Sequence, residues 1–221
     1  MSKLSIKNSK RFIIFIGIVL MVIASIYITI VINDIISINK LKPEIKNYIY
    51  SIEPSMTYAI QNNSGTYLDS NKKIDFAVAY ILKNKELYKD KIYKEKIRNC
   101  IVLNGSNYYL YEYVNKEFIQ EIVNQHFNDT IIDISKYDFY VKQLDKVGLF
   151  SFTKESLVKK SYEIEEIKKV KDSQYKVTLK YTYTDNQTNS KISSYVKYLL
   201  KYDNTNSENK FKVIEALNSN K

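Results

Sequence analysis

The chain has 221 residues, with 34 Lys and Arg against 24 Asp and Glu, one histidine, and a formal charge of +10. Its single cysteine, Cys100, excludes an intrachain disulfide, so any folded part must be held by its own apolar core. One histidine and one cysteine also leave the common His and Cys ligand sets of zinc without enough members.

The chain opens on a basic tail, residues 1–11, in which Lys3, Lys7, Lys10 and Arg11 meet no acid. Phe12 to Ile32 then runs for 21 residues without a charge. As a helix it is about 31 Å long, which matches a hydrocarbon core of about 30 Å. Its many β-branched residues disfavour a helix in water, but in lipid the backbone must pair within the segment. The hydroxyls of Ser25 and Thr29 can bond the preceding turn. Val22-Ile23-Ala24 has the form of a signal cleavage site, yet the apolar run continues well past the usual signal core of about 7–15 residues. A retained anchor is therefore expected, spanning the bilayer over Phe12 to Ile32. The denser basic flank is N-terminal, which places the N-terminus in the cytoplasm and the chain from Asn33 outside. That outer part keeps 30 basic and 24 acidic residues, a surplus of six. Richness in Lys, Asn, Ile and Tyr with no Trp suits an AT-rich genome, hence a low-GC Gram-positive bacterium.

Residues 33–42 read as a juxtamembrane connector, and 43–221 as an extracytoplasmic domain, mainly helical over 43–130 and mainly stranded over 131–217. Pro43 suits a helix start; Ile45, Tyr48, Ile49 and Ile52 follow at helical spacing, and Pro54 is expected to end the run. Asn62 to Gly65 reads as a loop. Ser70 or Asn71 can cap a second helix carrying Ile74, Ala77, Val78 and Ile81. A charged third helix is expected around Leu87 to Leu103, from Tyr93, Ile97 and Ile101 at i, i+4 and i+8, with Gly105 as its stop and Cys100 buried on its apolar face. Tyr108 to Val114 fits either a strand or a helix lead-in. Asn115 then caps a helix bearing Phe118, Ile119, Ile122, Val123 and His126 or Phe127, which Asn128 can close.

From Ile131 the period becomes two. Tyr175, Val177, Leu179, Tyr181 and Tyr183 alternate with Lys176, Thr178, Lys180, Thr182 and Thr184, and Ile192 to Tyr202 repeats the pattern. This predicts an antiparallel hairpin with one wet face. In Val158 to Val170, Tyr162 and Ile164 are in phase but Ile167 is not, so a β-bulge is expected near Glu165–Glu166. Phe211 to Leu217 makes a last strand. Helices followed by a meander imply an α+β fold, with helices packed on a curved antiparallel sheet of at least four strands. Over roughly Ile74 to Leu217 this order resembles the cystatin-like and nuclear-transport-factor-like cone folds. A short tail, one span and such a domain also resemble the bitopic assembly subunits of conjugative secretion channels; both likenesses are architectural.

No catalytic constellation, cofactor site or metal site is expected. A catalytic role for His126 needs a nucleophile or carboxylate brought to it by folding, and no signature announces one; at a helix C-terminus its protonated form would be favoured. Asp129, Asp133 and Asp138 do not have the spacing of a calcium loop and suit capping and turns. Lys176, Lys180, Tyr195, Lys197 and Lys201 share the wet face of the hairpin and are the candidate binding face. Lysines there also discourage aggregation. Tyr175, Tyr181, Tyr183 and Tyr198 are the candidate pocket, or else core with hydroxyls reaching a rim. The expected function is a non-enzymatic, membrane-anchored module that binds envelope proteins in a secretion or conjugation apparatus. The alternative is a small-ligand or anionic wall-polymer binding domain; nucleic acid is not an expected partner.

Overall fold

A computed structural model describes residues 2–60, 68–103, 105–127, 132–150, 158–185, 188–205 and 209–219. The chain divides into two compact units, Met1–Pro43 and Glu44–Lys221. The first unit is the N-terminal part of helix α1 (Ser2–Ile60). From Phe12 to Ile32 every residue except Gly17 is exposed, the large apolar ones from 38% at Val31 to 68% at Tyr27. The Ser25 and Thr29 hydroxyls donate to the carbonyls of Met21 and Ser25, at 2.8 and 2.9 Å, as expected for polar atoms without water. This segment is long and apolar enough to cross a membrane.

In the second unit, the remainder of α1 buries Ile45, Tyr48, Ile49, Ile52, Glu53 and Met56 along one stripe. The helix does not start at Pro43 or stop at Pro54; both prolines lie inside α1. Pro54 is exposed, and the stripe continues past it to Met56. Packing of that stripe outweighs a proline cost of about 3 kcal/mol. Helix α2 (Ser70–Lys83) begins one residue earlier than the expected caps, because the Asp69 carboxylate accepts the Lys72 amide at 2.8 Å. Its expected core positions Ile74, Ala77, Val78 and Ile81 are buried, with Phe76. Helix α3 (Lys116–His126) follows Asn115 and buries Phe118, Ile119, Ile122, Val123 and His126. Asn62 to Gly65, Asn128 and Asp129 lie outside the described residues.

The fold is α+β with two four-stranded antiparallel sheets. The first contains β1 (Tyr93–Leu103), β2 (Ser106–Asn115), β3 (Tyr140–Val141) and β4 (Lys146–Leu149), in the order β1-β2-β4-β3. The second is a meander of β5 (Val158–Lys171), β6 (Gln174–Asp185), β7 (Lys191–Tyr202) and β8 (Phe211–Ser219).

The expected helix over Leu87 to Leu103 is the main correction, since β1 occupies Tyr93–Leu103. A spacing of four residues satisfies a helix and is also twice the strand period, so Tyr93, Ile97 and Ile101 were compatible with both. The turn chemistry decides. The sequence Asn104-Gly105 is a hairpin signal; Leu103 pairs with Ser106, and Gly105 has φ +75°, so it lies at the turn between two paired strands instead of ending a helix. Cys100 consequently sits exposed on a strand opposite Tyr109, not buried on a helix.

The second sheet follows its pattern closely. Ile164 pairs with Leu179 and Glu166 with Thr178, so Glu165 is the skipped residue and Ile167 returns to the inner face beside Val177. That inner face meets α1: the Tyr48 and Phe211 rings are 5.6 Å apart, and Tyr50 and Tyr162 are 5.9 Å apart. Phe127, just after α3, bridges to Val213 of β8. In the first sheet, a β-carbon at Gly148 would overlap the buried Leu110 side chain. Gly148→Ala is therefore expected to destabilise the chain by about 1–3 kcal/mol, read as a lowered denaturation midpoint with unchanged denaturant slope.

Candidate functional site: an aromatic cleft beside His126

The lysine face is assembled as the alternation implies, but it is not purely basic. Lys176 and Lys201 are exposed, and Lys180, Tyr195 and Lys197 are half-buried. Lys180 lies opposite Tyr195 on β7 and opposite Glu163 on β5, with a 3.8 Å ion pair to Glu163. Register also brings Glu166 beside Thr178 and Glu215 beside Leu199 on this face. Acids thus interleave the lysines.

The tyrosine stripe lies on the inner side. Tyr175, Tyr181 and Tyr198 are buried and Tyr183 is half-buried. The Tyr198 hydroxyl donates at 2.7 Å to Glu53, a carboxylate with no exposed surface. Thr57 also donates to Glu53, at 3.0 Å, and Lys160 Nζ donates to Thr57 Oγ1 at 3.0 Å. The Lys160 ammonium stands 4.0 Å from the Tyr181 ring centre and 5.6 Å from that of Tyr183. Burial raises the Glu53 carboxyl to about 7, against the opposing pull of Tyr198, Thr57 and Lys160. Burial lowers Lys160 to about 8, although Glu53 acts to hold its charge. Glu53 and Lys160 were not singled out by pattern. A glutamate at position 53 of an Ile45–Ile52 stripe was the available signal.

A separate cleft of about 440 Å³ opens beside α3. Asn47, Tyr48 and Ser51 come from α1, Tyr80 from α2 and Tyr88 from the turn after it; Gln125, His126 and Asn209 complete the lining. None of the four stripe tyrosines lines it. His126 is there because α3 buries one side and ends on it, 4% exposed. Its ring stacks on Tyr48 at 6.0 Å and 20°, meets Tyr80 at 4.6 Å, and receives the Phe76 edge at 5.2 Å. Burial lowers its pKa to about 4. The helix end was expected to favour the protonated ring; desolvation outweighs that effect, and the imidazole is neutral at neutral pH. The Asn209 amide nitrogen donates to the Gln125 carbonyl at 2.9 Å and lies 3.2 Å from His126 Nδ1. Nδ1 is therefore an acceptor, which assigns the ring proton to Nε2. Tyr48 and Tyr80 are both pushed up by burial, and Tyr88 is pushed up to about 12 by burial and its neighbour Tyr80. The lining side chains are all neutral near pH 7.

Asp133 accepts the Ser135 amide at 3.2 Å and caps a short turn, as its turn role implied. Among the described residues no group of three His, Cys, Asp or Glu side chains could hold a metal ion. No family model, curated protein or solved structure matches this chain.

Two buried groups give opposite pH signatures. Glu53 titrates near 7 in the fold against 4.5 as the ordinary value, so the folded chain binds more protons between these limits and loses stability as pH rises. His126 titrates near 4 against 6.5, so the folded chain binds fewer protons and gains stability as pH rises. Asp75, also raised by burial, acts in the Glu53 direction. Relative to the parent chain, Glu53→Gln should gain about 2–3 kcal/mol between pH 4.5 and 6.5, and His126→Gln should lose a similar amount. Denaturation curves of the three chains across this range check the signs.

Proposed function

We propose that the chain is a single-pass membrane protein whose domain from Glu44 onward lies outside the cell and acts by binding envelope proteins rather than by turnover. The observation that carries the membrane part is the uncharged apolar run Phe12 to Ile32, exposed almost throughout. In water this surface would cost about 25 cal/mol per Å². In a bilayer it is at home, and the basic tail before it favours the orientation with the N-terminus inside.

Support for a protein partner comes from the β1–β2 hairpin. Cys100 faces Tyr109 across the ladder, and Val102, Tyr109 and Tyr111 are 67%, 55% and 48% exposed. Exposed aromatic and aliphatic side chains gathered on one hairpin suit a protein interface better than a solvated surface. The interleaved acids of the lysine face weaken the anionic-polymer alternative. The host suggested by composition is a low-GC Gram-positive bacterium, and the assembly a secretion or conjugation apparatus.

A C-terminally tagged chain in intact cells is expected to run at full length in the membrane fraction and to be destroyed by external protease. A shorter released band would mean a cleaved signal, and protection until lysis would mean the reverse orientation. Because Cys100 is the sole cysteine, a thiol-directed crosslinker on the same cells should join the hairpin to an envelope protein, and Cys100→Ser should abolish that adduct.

A further inference from the structure

The cleft beside His126 has a lining that selects by chemistry. None of its lining side chains is charged near neutral pH, and the Lys83 ammonium beside it is held by the Ser51 carbonyl at 3.3 Å, so the lining side chains offer no ion pair to a phosphate, a carboxylate or an ammonium group, each of which would lose hydration on entry. Of its aromatic residues, Tyr48 and His126 are buried against other rings, and Tyr80 and Tyr88 are half-buried. Beside these rings stand amide groups that can donate and accept at once. The side-chain amides of Asn47 and Gln125, and Nε2 of His126, make no hydrogen bond to any described residue. Asn209 and Tyr48 hold the imidazole from the Nδ1 side, at 3.2 and 3.4 Å, so the ring is fixed and keeps one tautomer. The Tyr80 and Tyr88 rings lie 6.4 Å apart and tilted by 42°.

We propose that this cleft binds a neutral saccharide unit. A sugar ring has the two properties that the lining requires together. Its C–H face is apolar and packs against an aromatic ring. Its hydroxyls each donate and accept, as the Asn47 and Gln125 amides do, and one of them can accept from the His126 Nε2–H. The cleft volume of about 440 Å³ falls within the range of small-molecule sites. The site is separate from the apolar hairpin and from the lysine face, so it stands whether or not either of those engages a partner.

The test uses the full chain in lipid nanodiscs, because many detergents carry sugar headgroups. Methyl glucoside, N-acetylglucosamine and cellobiose are offered in saturation-transfer NMR, with glucosamine and glucose 6-phosphate as charged comparisons. At least one neutral sugar is expected to receive saturation on its ring C–H protons, with the charged forms at least about tenfold weaker. Asn47→Ala combined with Gln125→Ala should weaken binding at least about tenfold while leaving the melting temperature unchanged, and Lys176→Ala with Lys201→Ala should leave binding as it was. His126→Phe, which keeps the ring but removes the Nε2 donor, should weaken it as well. The proposal is overturned if none of the three neutral sugars receives saturation, if the charged forms bind as tightly, or if the folded Asn47/Gln125 double variant binds like the parent.

Discussion

The packing of one helical stripe onto the inner face of the second sheet holds the domain together. Ile45, Ile49, Ile52 and Met56 are fully buried, and the stripe's one acid, Glu53, is bonded to Tyr198 on the facing sheet. The helix keeps its course through Pro54 because this contact, not local propensity, determines its path. Everything near the cleft takes its position from the same stripe. Tyr48 lies on it, packs on Phe211, and holds His126 at the end of α3. Removing the stripe would leave no wall for the cleft and no cover for the inner face of β6 and β7.

What could be read in advance depended on whether a spacing had one interpretation. The alternation of Tyr175 to Thr184 admits only a strand, and a phase error between Ile164 and Ile167 admits only an inserted residue; the strand runs one residue further at each end, and the insertion falls at Glu165, within the expected pair, while the second shift between Lys169 and Lys171 left no such phase signal. The i, i+4, i+8 set at Tyr93, Ile97 and Ile101 admits two periods, and the charges around it suggested the wrong one. Asn104-Gly105 between apolar runs was the deciding signal, and it also carries Cys100 from the interior to the surface. β3 and β4 were hidden for a different reason. They are two and four residues long, too short for any period to repeat. The cleft was beyond sequence because its lining comes from four regions far apart in the chain, and pattern indicates faces within one element only.

Charge is distributed in this domain by depth. The surface carries many weakly coupled ion pairs, such as Lys168–Glu166 and Lys210–Glu44; exposed pairs of this kind contribute little. Further in, a chain runs from Glu53 through Thr57 to Lys160, closed by tyrosine rings and a tyrosine hydroxyl. Burial brings its acid and base toward each other on the pH scale, to about 7 and about 8. The cleft has no such group and is built from neutral donors and acceptors.

β5 is one of the two outer strands of its sheet, and its inserted residue at Glu165 bears on how copies of the chain meet. On the membrane-anchored reading, every copy is confined to one plane, where encounters are frequent and orientations are shared. A flat outer strand would then template the next chain. β5 is interrupted twice, at Glu165 and again between Lys169 and Lys171, and it carries five lysines and three glutamates among its fourteen residues. Interruptions and charges of this kind prevent strand-to-strand growth. Crowding at the bilayer can therefore raise the frequency of collisions without seeding a fibril along this margin.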